Sequence, residues 1–229
     1  VRTMTISSKS RHDAKAVPFP SEFVGRYRRD GLWGSLTIPA ELARIVERHP
    51  DVEAVVTDER RVTYAELDAR SDAIAVRLVE LGLEVGDPVL LQVGNTAETI
   101  EAFYALLKMG AIPVCSLVPF GHHELDAVAT LVGARAHLVQ ADIPGRDLLS
   151  LSRELREAVS SVQVTLAIRG SADDAHRIDD VTPLGAEVEF GVDDPDAIAV
   201  MQLSGGTTGT PKVIPRLHAE YWYNGIATA

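Results

Sequence analysis

Between residues 53 and 168, short apolar runs alternate with longer amphipathic ones, an order that few folds accept. Thr63 and Glu66 stand at capping-box spacing, and beyond them Leu67, Ile74, Ala75, Leu78 and Leu81 share one helical face up to Gly82. A turn at Val85, Gly86 and Asp87 leads into 88–93, too short for a core helix and bounded by turn residues, which reads as a buried strand. Asn95 and Glu98 repeat the capping spacing, and the helix they open carries Ile100, Phe103, Leu106 and Leu107 inward as far as Gly110. The apolar run 112–117 follows, then a helix over 124–132 ended by Gly133, a strand over 136–140, a helix over 147–159 and a strand over 162–168. With an earlier strand at 53–57, five short strands alternate with helices. The expected fold class is therefore α/β, a layered parallel sheet with helices on both faces and right-handed crossovers.

Composition narrows the function classes. The chain has 229 residues, 46% of them hydrophobic and 24% charged, enough for a core without a disulfide or metal staple. Its 22 Lys and Arg stand against 33 Asp and Glu, a formal charge of −11, which argues against a nucleic-acid partner held by phosphate neutralisation. No apolar run approaches the roughly 18 residues of a membrane span and no signal-peptide pattern is present, so neither a membrane nor nucleic acid is expected as a partner. The single cysteine, Cys115, lies in an apolar run and reads as a buried thiol, in keeping with a cytoplasmic setting. His122 and His123 are adjacent, point about 100° apart on a helix, and form no zinc pair.

Four segments are expected. Residues 1–17 read as a flexible arm, 18–170 as the α/β unit, 171–197 as an acidic connection, and 198–229 as the start of a second subdomain. Between Ser171 and Asp196 nine acids face one base, Arg177, without regular ligand spacing, which suits a solvated connection rather than a metal site.

Chemistry concentrates after the apolar strand 198–203. Ser204, Gly205, Gly206, Thr207, Thr208, Gly209, Thr210, Pro211 and Lys212 form a loop rich in hydroxyl and backbone N–H donors and closed by a cation. Glycine lets backbone amides approach an anion closely and lysine adds a point charge, so the set suits phosphate oxygens. A glycine-rich hairpin without a ligand is the alternative. Three familiar loops fail on spacing: Lys212 sits between Pro211 and Val213, unlike a Walker loop; the glycines do not fit G-x-G-x-x-G; and Gln202 stands where a G-x-S-x-G elbow needs glycine.

The run 202–212, continuing through Ile214, Pro215, Arg216 and His218, resembles the signature loop of the adenylate-forming superfamily, in the form found in stand-alone aryl-acid AMP ligases. Phe19-Pro20, Phe23, Tyr27-Arg28, Gly31-Leu32-Trp33, Val62-Thr63-Tyr64, Gln92-Val93-Gly94-Asn95 and the run 103–114 are similar to the same ligases, so the resemblance extends from about Pro18 onward. Leu217 departs from the small hydroxyl residue usual there. The resemblance implies that Mg-ATP and an aryl carboxylic acid, of the salicylate or 2,3-dihydroxybenzoate type, give an aryl adenylate, which passes to the phosphopantetheine thiol of a carrier protein in siderophore or nonribosomal peptide synthesis. It implies that Ser204, Gly205, Gly206, Thr207, Thr208, Gly209, Thr210 and Lys212 hold the phosphates. Arg216 and His218 adjoin the site, with surface charge and helix capping as their plainer roles.

The same resemblance puts the aryl pocket, the adenine and ribose contacts and a catalytic lysine beyond Ala229. The chain is thus expected to be the N-terminal part of a longer ligase, inactive alone, with the C-terminal part of that enzyme as its partner. Two alternatives stay open: an aryl-CoA ligase of the same superfamily, and a non-catalytic binding or assembly module.

Overall fold

The computed structural model describes the backbone of residues 4–6 and residues 19–184, 188–204 and 211–228. In chain order the elements are β1 (Met4–Ile6), α1 (Ser21–Arg29), α2 (Ile38–Arg48), β2 (Glu53–Val56), β3 (Arg61–Thr63), α3 (Tyr64–Glu80), β4 (Pro88–Gln92), α4 (Ala97–Met109), β5 (Ile112–Cys115) and α5 (His122–Val132). There follow β6 (Ala136–Gln140), α6 (Leu148–Ala158), β7 (Val164–Ile168), β8 (His176–Arg177), β9 (Val188–Phe190), β10 (Ile198–Leu203), β11 (Val213–Leu217) and α7 (His218–Thr228).

Local signals set the helix ends. Thr63 Oγ1 accepts from the Glu66 N–H at 3.2 Å while Glu66 Oε2 accepts from the Thr63 N–H at 2.8 Å, the reciprocal pair that starts α3. The cap of α4 is Thr96, not Asn95: its Oγ1 accepts from the Thr99 N–H at 3.2 Å. Gly110 ends α4 at φ +80°, and a Cβ there would stand 2.8 Å from Val192 Cγ2, so both conformation and space call for glycine.

The main sheet runs β11-β10-β5-β4-β6-β7-β8, parallel throughout except for β11, which is antiparallel to β10. Alternate residues of each strand feed opposite layers. Val89, Leu91, Leu138 and Leu166 pack with Ile74 and Leu78 of α3 and Leu106 of α4, whereas Leu90, Val114 and Met201 pack with Leu125 and Val128 of α5 and Leu155 of α6. Each fully buried leucine contributes about 2 kcal/mol of transfer free energy, so the two layers together hold the sheet between helices. This is the α/β architecture expected from the alternation.

Several expectations change. The strand at 53–57 does not join the parallel sheet; β2 pairs antiparallel with β3 in a separate hairpin. Only four residues, Thr57 to Arg60, separate them, and a parallel connection needs a dozen or more. Part of the acidic stretch is built into the fold rather than solvated: β8 lies beside β7, Ile178 is buried, and buried Asp179 accepts from the Arg169 N–H at 3.0 Å. Burying one apolar side chain and pairing one acid is enough to draw that segment onto the sheet edge. At the start of the segment 198–229, β10 lies beside β5 in the main sheet. Within the segment read as a flexible arm, Met4–Ile6 run parallel to Val188–Phe190.

Candidate functional site

Because β4, β5, β6, β7 and β10 are parallel, the segments leaving Gln92, Cys115, Gln140, Ile168 and Leu203 all emerge at one edge of the sheet. Ligands of open α/β sheets bind outside the carboxyl ends of such strands, most often where the strand order reverses. Here it reverses about β4, which has β5 on one side and β6 on the other.

The expected phosphate loop leaves from this edge. Ser204 follows β10, and Lys212 precedes β11. The Ser204 N–H donates to the Lys212 carbonyl at 2.9 Å, and the Lys212 N–H donates to Ser204 Oγ at 3.0 Å. Both ends of the loop are thereby tied together, with the Lys212 side chain exposed. Gly205, Gly206, Thr207, Thr208, Gly209 and Thr210 lie outside the described residues.

Arg216 is not a free surface charge. Its Nε donates to both Glu220 carboxylate oxygens at 2.8 and 2.9 Å, and its Nη1 donates to Gln202 Oε1 at 2.9 Å. His218 is buried, and its Nδ1 accepts from the Ile38 N–H at 3.3 Å, joining the start of α7 to the start of α2. Burial lowers its pKa to about 4, so at neutral pH it is an uncharged packing and capping group.

The edge also holds polar residues to which the sequence reading gave no role of their own. Gln92 is fully buried; its Nε2 donates to the carbonyls of Leu117, Val118 and Phe120 at 3.0, 3.2 and 2.9 Å, and its Oε1 accepts from His137 Nε2 at 3.1 Å. Gln140 Oε1 accepts from the Gly94 N–H at 2.9 Å. The available signal was a polar residue inside an otherwise apolar strand, which must find partners where it is buried. Toward β7, Arg169, at φ +59°, donates to Glu59, Asp142 and Glu98 at 2.6, 2.7 and 3.3 Å, and these acids hold its guanidinium charged. That end of the edge is crowded with carboxylates. Exposed Lys212 lies at the other end, between β10 and β11.

Cys115, at the end of β5, is half-buried, and burial pushes its thiol up to about 11, so it is no thiolate nucleophile at neutral pH. His122, on α5, pairs with Asp126 at 3.1 Å and Glu154 at 2.7 Å. Among the described residues no group of three or more His, Cys, Asp or Glu is arranged to hold a metal ion.

The two buried histidines predict a pH dependence. Burial lowers His137 to about 3 and His218 to about 4, against an ordinary value of 6.5. Both folded-state values are depressed, so the unfolded chain binds protons first as the pH falls. Stability that is full above pH 6.5 is therefore lost on acidification, by about 2–4 kcal/mol at pH 5 for the pair. His122 shifts the opposite way, toward the charged form, but it is exposed and its effect is small. Urea unfolding at pH 7 and pH 5 should show the loss; equal midpoints would contradict it.

A family model described as "AMP-binding enzyme" matches residues 42–229. The chain is 35% identical over 213 residues to the vibriobactin-specific 2,3-dihydroxybenzoate-AMP ligase of Vibrio cholerae, covering 92% of this chain and 39% of that protein. It is 36% identical over 225 residues to a salicylyl-CoA synthase / salicylate adenylyltransferase of a Streptomyces species, covering 93% of this chain and 40% of the relative. Among solved structures, the apo structure of MbtA from Mycobacterium smegmatis superposes with a TM-score of 0.84 at 35% identity, over 93% of this chain and 39% of that one. The chain thus spans about two fifths of the length of the relatives it matches. No helix of the described residues is long and apolar enough to cross a membrane. On the family match, the shared α/β sheet and these aryl-acid-activating relatives, the chain belongs to the AMP-binding enzymes, the adenylate-forming superfamily.

Proposed function

We propose that a protein of the relatives' length carrying this chain activates an aryl carboxylic acid, of the salicylate or 2,3-dihydroxybenzoate type, with Mg-ATP. The observation that carries this reading is the donor-rich run 204–212, whose described ends, Ser204 and Lys212, are tied together at the ligand-binding edge of the sheet. The donor set fits a polyphosphate: exposed Lys212 supplies a positive charge and the loop supplies hydroxyl and amide donors.

In the reaction, the aryl carboxylate oxygen attacks the α-phosphorus, the bond from that phosphorus to the bridging oxygen breaks, and pyrophosphate leaves with the negative charge. Ser204, Gly205, Gly206, Thr207, Thr208, Gly209, Thr210 and Lys212 hold the β- and γ-phosphates as that charge develops, so catalysis is chiefly positioning and charge neutralisation. Magnesium enters with the nucleotide and shields its phosphate oxygens. In the second step a thiol attacks the acyl carbon and AMP leaves. The phosphopantetheine of a carrier protein is the acceptor in this reading, and the work belongs to siderophore or nonribosomal peptide synthesis in the cytoplasm. A relative named as a salicylyl-CoA synthase supports coenzyme A as the second acceptor to test.

Isotope exchange between ATP and pyrophosphate tests the first half-reaction. Exchange that requires salicylate or 2,3-dihydroxybenzoate is expected from the longer protein, and none from the 229-residue chain alone. Exchange independent of any aryl acid would refute the reading, and exchange by the short chain would refute its inactivity alone. Acyl transfer to a carrier protein against coenzyme A then decides the acceptor.

A further inference from the structure

The strand that follows Lys212 lies at one edge of the sheet. β11 pairs with β10 on one side only, and the two ends of the loop depend on how that hairpin is held. Four side chains from three elements meet beneath the mouth of the loop. Gln202 lies in β10 two residues before Ser204, Arg216 lies in β11 four residues after Lys212, and Glu220 and Tyr221 lie in the first turn of α7.

The antiparallel register pairs Gln202 with Ile214 and Val200 with Arg216, so Gln202 and Arg216 are diagonal neighbours on one face of the hairpin. Gln202 Oε1 accepts from Arg216 Nη1 at 2.9 Å, and Gln202 Nε2 donates to the Tyr221 hydroxyl at 3.1 Å. The Arg216 guanidinium carbon lies 5.2 Å from the centre of the Tyr221 ring. The three side chains form a closed ring, and Glu220 anchors it by accepting from Arg216 Nε. Glu220 also holds Arg216 in its charged form. Because its charge is matched by Glu220 and one donor goes to Gln202, Arg216 is committed within the protein.

We propose that Gln202, Arg216, Glu220 and Tyr221 form a positioning network that buttresses the edge strand from α7 and fixes where Ser204 and Lys212 stand at the sheet edge. The network touches neither phosphate nor substrate. It acts through Lys212, and that consequence rests on the reading of the loop as an ATP grip.

Gln202→Leu removes both glutamine bonds at nearly constant volume, while Gln202→Glu keeps an acceptor for Arg216 and for the Tyr221 hydroxyl proton. On the 229-residue chain, amide exchange followed by NMR should quicken about tenfold at Ser204 and Lys212 in the leucine variant, stay unchanged in β6, and return toward wild type in the glutamate variant. Unchanged exchange at those two amides, or equal quickening in β6, would overturn the network. In the longer ligase the leucine variant should raise KM for ATP about tenfold with kcat and the aryl-acid KM within about twofold. Equal losses for both substrates would overturn the link to the loop. Absence of acid-dependent exchange in the wild-type ligase strikes the proposed function instead, and the amide measurement still decides the network.

Discussion

Replacing Lys212 with alanine in the longer ligase is expected to lower kcat/KM for ATP in the pyrophosphate exchange about 100-fold. A lysine facing departing phosphates makes charge-assisted contacts worth about 2–3 kcal/mol, and those contacts strengthen as charge moves to the leaving group. The substitution leaves the hairpin intact, because Lys212 bonds Ser204 through its backbone N–H and carbonyl and its side chain is exposed. Thermal stability should therefore shift little, as for other exposed substitutions. Aryl-acid binding, followed by fluorescence titration, should survive. Lys212→Arg keeps the charge on a different geometry and should recover part of the activity. Undiminished exchange in the alanine variant would remove Lys212 from the site.

The second large effect lies in the fold. Gln92→Leu should destabilise the chain by about 2 kcal/mol in urea unfolding. Gln92 is fully buried, and its amide serves four partners: the carbonyls of Leu117, Val118 and Phe120 and the Nε2 of His137. All three carbonyls keep a donor after the substitution, because Arg146 Nη2 donates to Val118 and Phe120 at 2.9 Å each and the Phe120 N–H donates to Leu117 at 3.0 Å. The buried His137 Nε2–H alone is left without a partner, and a buried polar group left unpaired costs about 1–3 kcal/mol. His137 cannot escape by charging, since burial holds its pKa near 3 and its Nδ1 already has no partner among the described residues. Adding His137→Leu should recover part of the loss, because removing both members of a buried pair costs less than removing one. A loss below about 1 kcal/mol in the single variant would mean that the His137 Nε2–H finds another partner without Gln92.

These two residues differ in how readily the chain discloses them. Lys212 is legible as a candidate because the loop is contiguous and its donor-rich composition suits an anion. Gln92 is visible only as a polar residue closing an apolar strand, and its partners lie 25 to 45 residues away. Arg216 reads as surface charge in the sequence because Gln202 and Glu220, which bind it, are set beside it by a hairpin register and a helix start. The hairpin of β2 and β3 is a further case. A four-residue connection excludes a parallel crossover, but β3 is only three residues long and sits directly before the Thr63 cap, so the sequence reading expects no strand there.

The sequence by itself determined the alternation of strand and helix, the Thr63 and Gly110 helix boundaries, and the run of glycine, hydroxyl and lysine residues over 204–212. Those depend on neighbours within a turn or a strand, where hydrophobic period, capping and glycine conformation act. Only the tertiary structure decided that β4 is central, that β10 joins β5 in the same sheet, and that Lys212 directly precedes an edge strand whose hairpin partner bonds α7 through Gln202 and Tyr221. Strand order, burial of isolated polar groups and the commitment of Arg216 to Glu220 arise from contacts between residues distant in sequence or in separate elements, and no local pattern records which partner a buried donor will find.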